Sequence, residues 1–270
     1  MSNNQSEGTA TLPPRSESRE DEPVVNSPYV LVVMPAYNAA RTLEMTWQAI
    51  PEGTVDEVLL VDDSSHDDTL AVATRLNITN IALPHNVGYG GNQKTCYLEA
   101  LRLKADVIVM LHPDGQYDPV LLPDLIRPIV EGEADIVLGS RMIDPGGARA
   151  GGMPLYRFVA NKALTSIENK ALRSRFSELH TGYRAYSRGF LERVPFLRNS
   201  NDFVFDTQII AQAVAFEQRV VEVPIHTKYF AEASSTSMPA NITYGLGTLW
   251  TMVQYRLDDH GILRSKLFHR

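Results

Sequence analysis

Five consecutive apolar residues at 107–111, Val-Ile-Val-Met-Leu, stop abruptly at His112-Pro113-Asp114-Gly115-Gln116-Tyr117-Asp118. A short aliphatic run with no polar alternation reads as a strand buried on both faces, as in a parallel sheet. Comparable runs stand at 29–34, 58–61, 78–83 and 134–138. Between them come apolar residues at helical spacing: Leu43, Trp47 and Ile50, then Leu70, Ala73 and Leu76, then Leu98 and Leu101. Repeated strand-helix alternation predicts an α/β fold, a Rossmann-like, mostly parallel central sheet with helices on both faces. Ligands of such sheets gather at the carboxyl ends of the strands. Asp114 stands at that end of the fourth strand, placed to hold a metal ion.

Pro119, Pro123 and Pro128 punctuate what should be a short or irregular helix between the fourth and fifth strands. After Arg141 the alternation loosens. Gly146-Gly147 and Gly151-Gly152 bracket a loop carrying Arg149, and an amphipathic helix is expected over 155–172. A strand or turn follows at 181–186, a helix at 203–216 and a strand at 219–226. The apolar stretch 242–257 is shorter than the roughly 20 residues a membrane span needs. It reads either as a core or dimer helix, or as an interfacial helix making peripheral contact with a membrane. The tail 1–27, rich in Ser, Glu, Asn and Pro, is expected to be disordered. A catalytic domain at 28–232 and a helical extension at 233–270 complete the expected organisation.

A net charge of −7 and pI near 5.5, with no basic stripe interleaved with aromatics, argue against nucleic acid as a partner. An acidic protein that handles phosphates needs a metal or a local group of arginines. Cys96, the single cysteine, excludes an internal disulfide and a cysteine-based zinc site and reads as a small core residue. No signal peptide is visible, which sets a cytoplasmic expectation.

The loops after the strands carry the candidate chemistry. Pro35-Ala36-Tyr37-Asn38 closes the first strand and is either a ligand site or a plain strand-to-helix turn. Asp62-Asp63 closes the second; paired carboxylates are costly to hold together without a cation or hydrogen-bond donors, which favours ligand contact. Asp67 or Asp68 reads as a helix cap. Gly88, Gly90 and Gly91 lack the Gly-x-Gly-x-x-Gly spacing of a dinucleotide site and follow the third strand. They suit a tight turn that brings backbone close beside a ligand. Lys94, one helical turn further, reads as a solvated lysine or a ligand contact.

Taken together, Pro35-Ala36-Tyr37-Asn38, Val61-Asp62-Asp63-Ser64-Ser65 with Asp68-Thr69, Asn86-x-Gly88-x-Gly90 and His112-Pro113-Asp114-Gly115-Gln116 resemble the successive motifs of family 2 glycosyltransferases. The similarity is greatest to the polyprenyl-phosphate (dolichyl-phosphate) mannosyl- and glucosyltransferase branch and covers about 30–229. Gly139-Ser140-Arg141, the segment from Thr181 to Tyr186 and Val221-Glu222-Val223-Pro224-Ile225 support it. The resemblance implies a GT-A fold, a nucleoside-diphosphate sugar donor and inversion at the anomeric carbon. It implies donor contacts from Pro35, Ala36, Tyr37, Asn38, Glu44, Asp62, Asp63, Gly88, Lys94, Pro113 and Lys228. Asp114, with Gln116 nearby, would hold Mn²⁺ or Mg²⁺ against the diphosphate.

A hard divalent cation neutralises charge that grows on the departing phosphate. Its loss should raise the barrier by several kcal/mol, on the order of a thousandfold in rate. His112 stands where the family's Asp-x-Asp pattern has its first aspartate. An imidazole ligand would favour Mn²⁺ over Mg²⁺; otherwise His112 is a bystander at the pocket edge. A glycan hydroxyl acceptor needs a base, for which Asp202 and Asp206 are candidates and Asp206 the preferred one. A lipid phosphate needs none and would be cradled by Arg141, Arg149 and Arg157. Ser234 and Ser235 are further candidates beside the diphosphate. Competing readings are a receiver-type signalling domain, disfavoured by length and by the His112 loop, and a nucleotidyltransferase, which lacks its Gly-rich basic loop after the first strand. A catalytically silent nucleotide-sugar-binding module is the third.

Overall fold

The computed structural model describes residues 27–227 and 238–269. Most of the expected tail, together with Lys228, Ser234 and Ser235, lies outside the described residues. Seven strands, β1 (Val30–Ala36), β2 (Glu57–Asp62), β3 (Thr79–Ala82), β4 (Val107–Met110), β5 (Ile136–Ser140), β6 (Arg184–Ser187) and β7 (Val220–Pro224), form one sheet in the order β3-β2-β1-β4-β6-β5-β7. All neighbours run parallel except β6, which is antiparallel to both β4 and β5. The stretch expected as a strand or turn is therefore a wedge in the middle of the sheet.

Strand side chains alternate between two cores, as a period of two requires. Leu31, Val33, Leu59, Val61, Ile108 and Met110 face α3 (Tyr89–Arg102) and α8 (Phe205–Ala215), with α7 (Arg188–Arg193) on the same side. Cys96 is buried there as expected. Val30, Val32, Met34, Leu60, Val107 and Val109 face α1 (Leu43–Gln48), α2 (Thr69–Arg75) and α4 (Leu122–Val130). Every residue of β1, β4 and β5 is buried, which explains their unbroken apolar text. The proline-marked segment is a 3₁₀ turn at Pro119–Leu121 leading into α4, which continues through Pro128. After β5 come α5 (Gly147–Ala150) and α6 (Leu155–Leu172). α9 (Met238–Asp259) packs against α6 and α8 and closes the fold.

Candidate active site

The carboxyl ends of β1, β2 and β4 converge on a cavity of about 280 Å³. Pro35, Ala36, Tyr37, Asp63, Gly88, Pro113 and Asp114 line it, which places six expected donor contacts and the expected metal ligand in one space. Asp63 is buried, and its carboxylate accepts from the backbone amides of Val87 (2.7 Å) and Gly88 (3.1 Å). Burial raises its pKa, with those two amides pulling the other way. The end of β2 is thus locked to the glycine turn.

Four expected donor contacts lie elsewhere. Asp62 is buried with its carboxylate turned onto Ser65, accepting from that residue's amide (2.9 Å) and hydroxyl. Asn38, at φ +52°, donates its amide to the Ser65 hydroxyl and accepts from the His66 amide, tying the first loop to the second. Glu44 pairs with Arg75 on the surface (2.9 Å). Lys94 donates to the Asn199 carbonyl and to Asn201 Oδ1 (2.6 Å), so it grips a protein loop. The same loop explains the glycines. A Cβ on Gly88 would stand 2.6 Å from the Asn201 carbonyl oxygen, and one on Gly90 would clash with that of Ser200. The close neighbour they admit is a loop of the protein itself.

A second cavity, about 450 Å³, adjoins the first and shares four residues with it: Tyr89, His112, Asp114 and Phe203. The His112 ring stacks on Tyr89 at 5.5 Å and 17°, and Tyr89 packs on Phe203 at 4.5 Å. Burial pushes the His112 pKa below its ordinary value, against the pull of Asp114 and Asp206. Its Nε2 lies 3.3 Å from the Tyr89 hydroxyl. Asp114 Oδ1 accepts from the Gln116 amide at 3.0 Å, and Gly115 supplies the positive φ that this turn requires. Gln116 lines the second cavity.

Asp206, in the first turn of α8, also borders that cavity. It accepts from the Tyr89 hydroxyl (2.8 Å), Gln93 Nε2 (3.2 Å) and Arg184 Nη1 (3.3 Å). Arg184 is fully buried, so Asp206 is its counter-charge and the anchor of Tyr89. Arg141 is buried as well, paired through its side chain and its own amide with Glu178, which also accepts from Asn161 (2.8 Å). Burial alone would raise the Glu178 pKa; the Arg141 guanidinium more than reverses this and holds it below the usual glutamate value. Arg141 and Arg157 line the second cavity. Arg149 does not; it donates to the Met153 carbonyl.

Opposite them stands a polar chain that the sequence did not disclose. Tyr244 on α9 shares a 2.6 Å hydrogen bond with His180 Nδ1, and His180 Nε2 lies 2.9 Å from Glu168 on α6. The available signal was Asn161, Thr165 and Glu168 recurring at helical spacing on one side of α6, a polar stripe needing partners inside the protein. Tyr89 had a signal too, as an aromatic set between two glycines.

Among the described residues, no group of three His, Cys, Asp or Glu side chains comes together to cage a metal. Asp114 offers a carboxylate on the wall common to both cavities. One carboxylate completed by substrate phosphate oxygens is a usual site for Mg²⁺ or Mn²⁺, so the donor set fits a cation that binds together with a diphosphate.

The profile of glycosyl transferase family 2 matches residues 31–194. The chain belongs to this family. It is therefore a glycosyltransferase. Among its relatives, the undecaprenyl-phosphate mannosyltransferase of Micrococcus luteus is 28% identical over 84% of this chain and 98% of its own length. The UDP-N-acetylglucosamine–dolichyl-phosphate N-acetylglucosaminyltransferase of Methanococcus voltae is 24% identical over 84% of this chain and 96% of its own. Glucosyl-3-phosphoglycerate synthase of Mycobacterium tuberculosis, solved with Mn²⁺, UDP and phosphoglyceric acid, superposes with a TM-score of 0.66 at 19% identity, covering 88% of this chain and 80% of its own. That likeness establishes the GT-A fold.

Proposed function

We propose that this enzyme moves a hexose, with inversion, from a nucleoside-diphosphate sugar to a polyprenyl phosphate, using Mn²⁺ or Mg²⁺ held at Asp114. The observation that carries this reading is the pair of cavities joined at Asp114. The first, bordered by Tyr37 and Asp63, suits a nucleoside, with a ring to pack on and a carboxylate to accept from base or ribose. The second combines Arg141 and Arg157 with apolar residues of α6 and α9, the chemistry of a phosphate on a greasy chain. The relatives whose names specify undecaprenyl or dolichyl phosphate support the same acceptor.

The cation, when bound, neutralises charge on the leaving diphosphate. Asp114 orients it, and the Tyr89–His112–Phe203 stack walls the transfer point from water. A phosphate acceptor is already an anion, so no base is needed; Asp206 is left to anchor Tyr89 and balance Arg184. A lipid acceptor puts the work at the inner face of the cytoplasmic membrane. No helix among the described residues is long and apolar enough to cross a membrane.

The test is to incubate the purified chain with labelled nucleotide sugars, Mn²⁺ and a polyprenyl phosphate, and to follow label into the organic phase. Transfer that requires the lipid phosphate and stops with EDTA supports the reading. Label that appears only in a glycan overturns the acceptor, and donor binding without any transfer overturns the activity.

A further inference from the structure

Apart from Ala171 and Leu172 at the end of α6 and Met252 on α9, which join the apolar core, α6 and α9 bury polar side chains and expose large apolar ones. On α6 the buried side carries Asn161, Thr165 and Glu168, while Leu155 (61% exposed), Val159 (57%) and Ile167 face outward. On α9, Thr248 and Thr251 are buried, while Leu246 (63%), Trp250 (57%) and Val253 face outward. A helix bordering water shows the opposite arrangement. Clustered, exposed, large apolar side chains mark a surface that something covers. The two helices pack on each other, and exposed Tyr156 of α6 and Ile242 of α9 both border the larger cavity. The outward face therefore runs across both helices at the cavity mouth.

Charge indicates what covers it. Between residues 145 and 175 stand Arg149, Arg157, Lys162, Lys170, Arg173 and Arg175 against one acid, the buried Glu168. α9 carries no charge before Arg256, and its acids, Asp258 and Asp259, lie at its far end, where Asp259 pairs with Arg173. This concentration of positive charge stands out in a chain of net charge −7. We infer that the outward face of α6 and α9 docks on a bilayer bearing anionic headgroups, with Leu246 and Trp250 at the acyl boundary and Lys162 and Lys170 among the headgroups. A second copy of the chain fits less well, because a two-fold contact would set this basic face against itself. The inference rests on reading the larger cavity as the site of a lipid phosphate, whose mouth would then open at the membrane.

The experiment is flotation of the full chain with vesicles of phosphatidylcholine, alone or with about one-third phosphatidylglycerol. Wild type should float with the mixed vesicles and lose binding as salt rises. The Lys162→Glu/Lys170→Glu variant should bind mixed vesicles more weakly by on the order of tenfold or more, and Leu246→Glu/Trp250→Glu should not float at all. These positions are exposed, so melting temperatures and turnover of a short-chain acceptor phosphate in detergent should match wild type. With Trp47→Phe, Trp250 becomes the lone tryptophan, and its emission should shift to the blue on mixed vesicles. Wild type that stays unbound, or variants that float like wild type, overturn the inference. So does a wild-type dimer that Leu246→Glu/Trp250→Glu dissociates. Failure here with intact turnover in detergent leaves the proposed acceptor standing; vesicle binding without transfer to any lipid phosphate removes that acceptor and leaves the docking face.

Discussion

The donor-side half, residues 30–114, and the acceptor-side half, residues 141–259, manage their charges differently. On the donor side, the carboxylates at the end of β2 and in the loop after it are held by hydroxyls and backbone amides: Asp62 by Ser65, Asp67 by Thr69 and the Ala40 amide, Asp63 by the glycine turn. On the acceptor side they face basic side chains that are themselves buried: Glu178 faces Arg141, Asp206 faces Arg184 and Glu168 faces His180. Apolar strands hold the first half together, and polar loops decorate it. The second half adds buried ion pairs to its apolar core, and α6 and α9 turn large apolar side chains outward. Neutralising a donor-side carboxylate should thus disturb chemistry more than folding, and neutralising an acceptor-side one should do the reverse.

The sharpest case is Asp114→Asn. Turnover should fall on the order of a thousandfold through lost cation binding, with little change in melting temperature. A variant that transfers sugar at the wild-type rate would end the argument that charge neutralisation at the junction of the two cavities drives the reaction.

Glu178→Gln should show the opposite pattern. It leaves Arg141 buried without its counter-charge, and breaking such a pair costs about 3–5 kcal/mol of stability. The wild-type pair also has a pH signature. The folded-state pKa of Glu178 lies below the ordinary 4.5, so its stabilisation is complete above that value and fades as pH falls through the lower folded value. Denaturant titrations at pH 7 and in acid should show this contribution in wild type, and the Gln variant should lack it. Equal stability of the two proteins at pH 7 would break the contrast between the halves.

Asp206→Asn tests whether a buried pair also does chemistry. It should destabilise by a similar few kcal/mol, because Arg184 loses its partner. Turnover of a phosphate acceptor by the remaining folded protein should keep its pH profile. A lost pH limb with a hydroxyl acceptor would instead make Asp206 a base. Asp63→Asn should be milder, raising the KM for donor about tenfold, the weight of one well-placed hydrogen bond, with kcat held.

The same contrast explains what could be read in advance. Unbroken apolar text foretold β1, β4 and β5 because their residues are buried on both sides, and Pro35, Asp63 and Asp114, at the carboxyl ends of β1, β2 and β4, meet in one cavity. Those signals are local. β6 spans only Arg184–Ser187 and is placed by its neighbours, so its insertion between β4 and β5 left no periodic trace. Glu178 and His180 meet partners 37 and 64 residues away, and nothing in the spacing announces such contacts. Asp62, Glu44 and Lys94 turn onto protein partners for a related reason: the motif places the residue, whereas its neighbours decide where the side chain turns.

Lys94 is where this last point can be tested with the smallest effect. Its ammonium holds the Asn199–Asn201 segment against the glycine turn, and that segment leads directly to Phe203 on the wall shared by the two cavities. Burial lowers the Lys94 pKa, with Asp202 opposing, as expected of an ammonium drawn toward the protein. Lys94→Met keeps the stem and removes the donors. It should reduce stability by about 1 kcal/mol and raise the KM for donor only a few-fold, through a looser Phe203, while kcat holds. Should kcat/KM instead collapse toward the Asp114→Asn level at an unchanged melting temperature, the ammonium must swing onto the diphosphate during the reaction. Lys94 would then belong with the donor-side chemistry, and the loop contact would describe only its resting position.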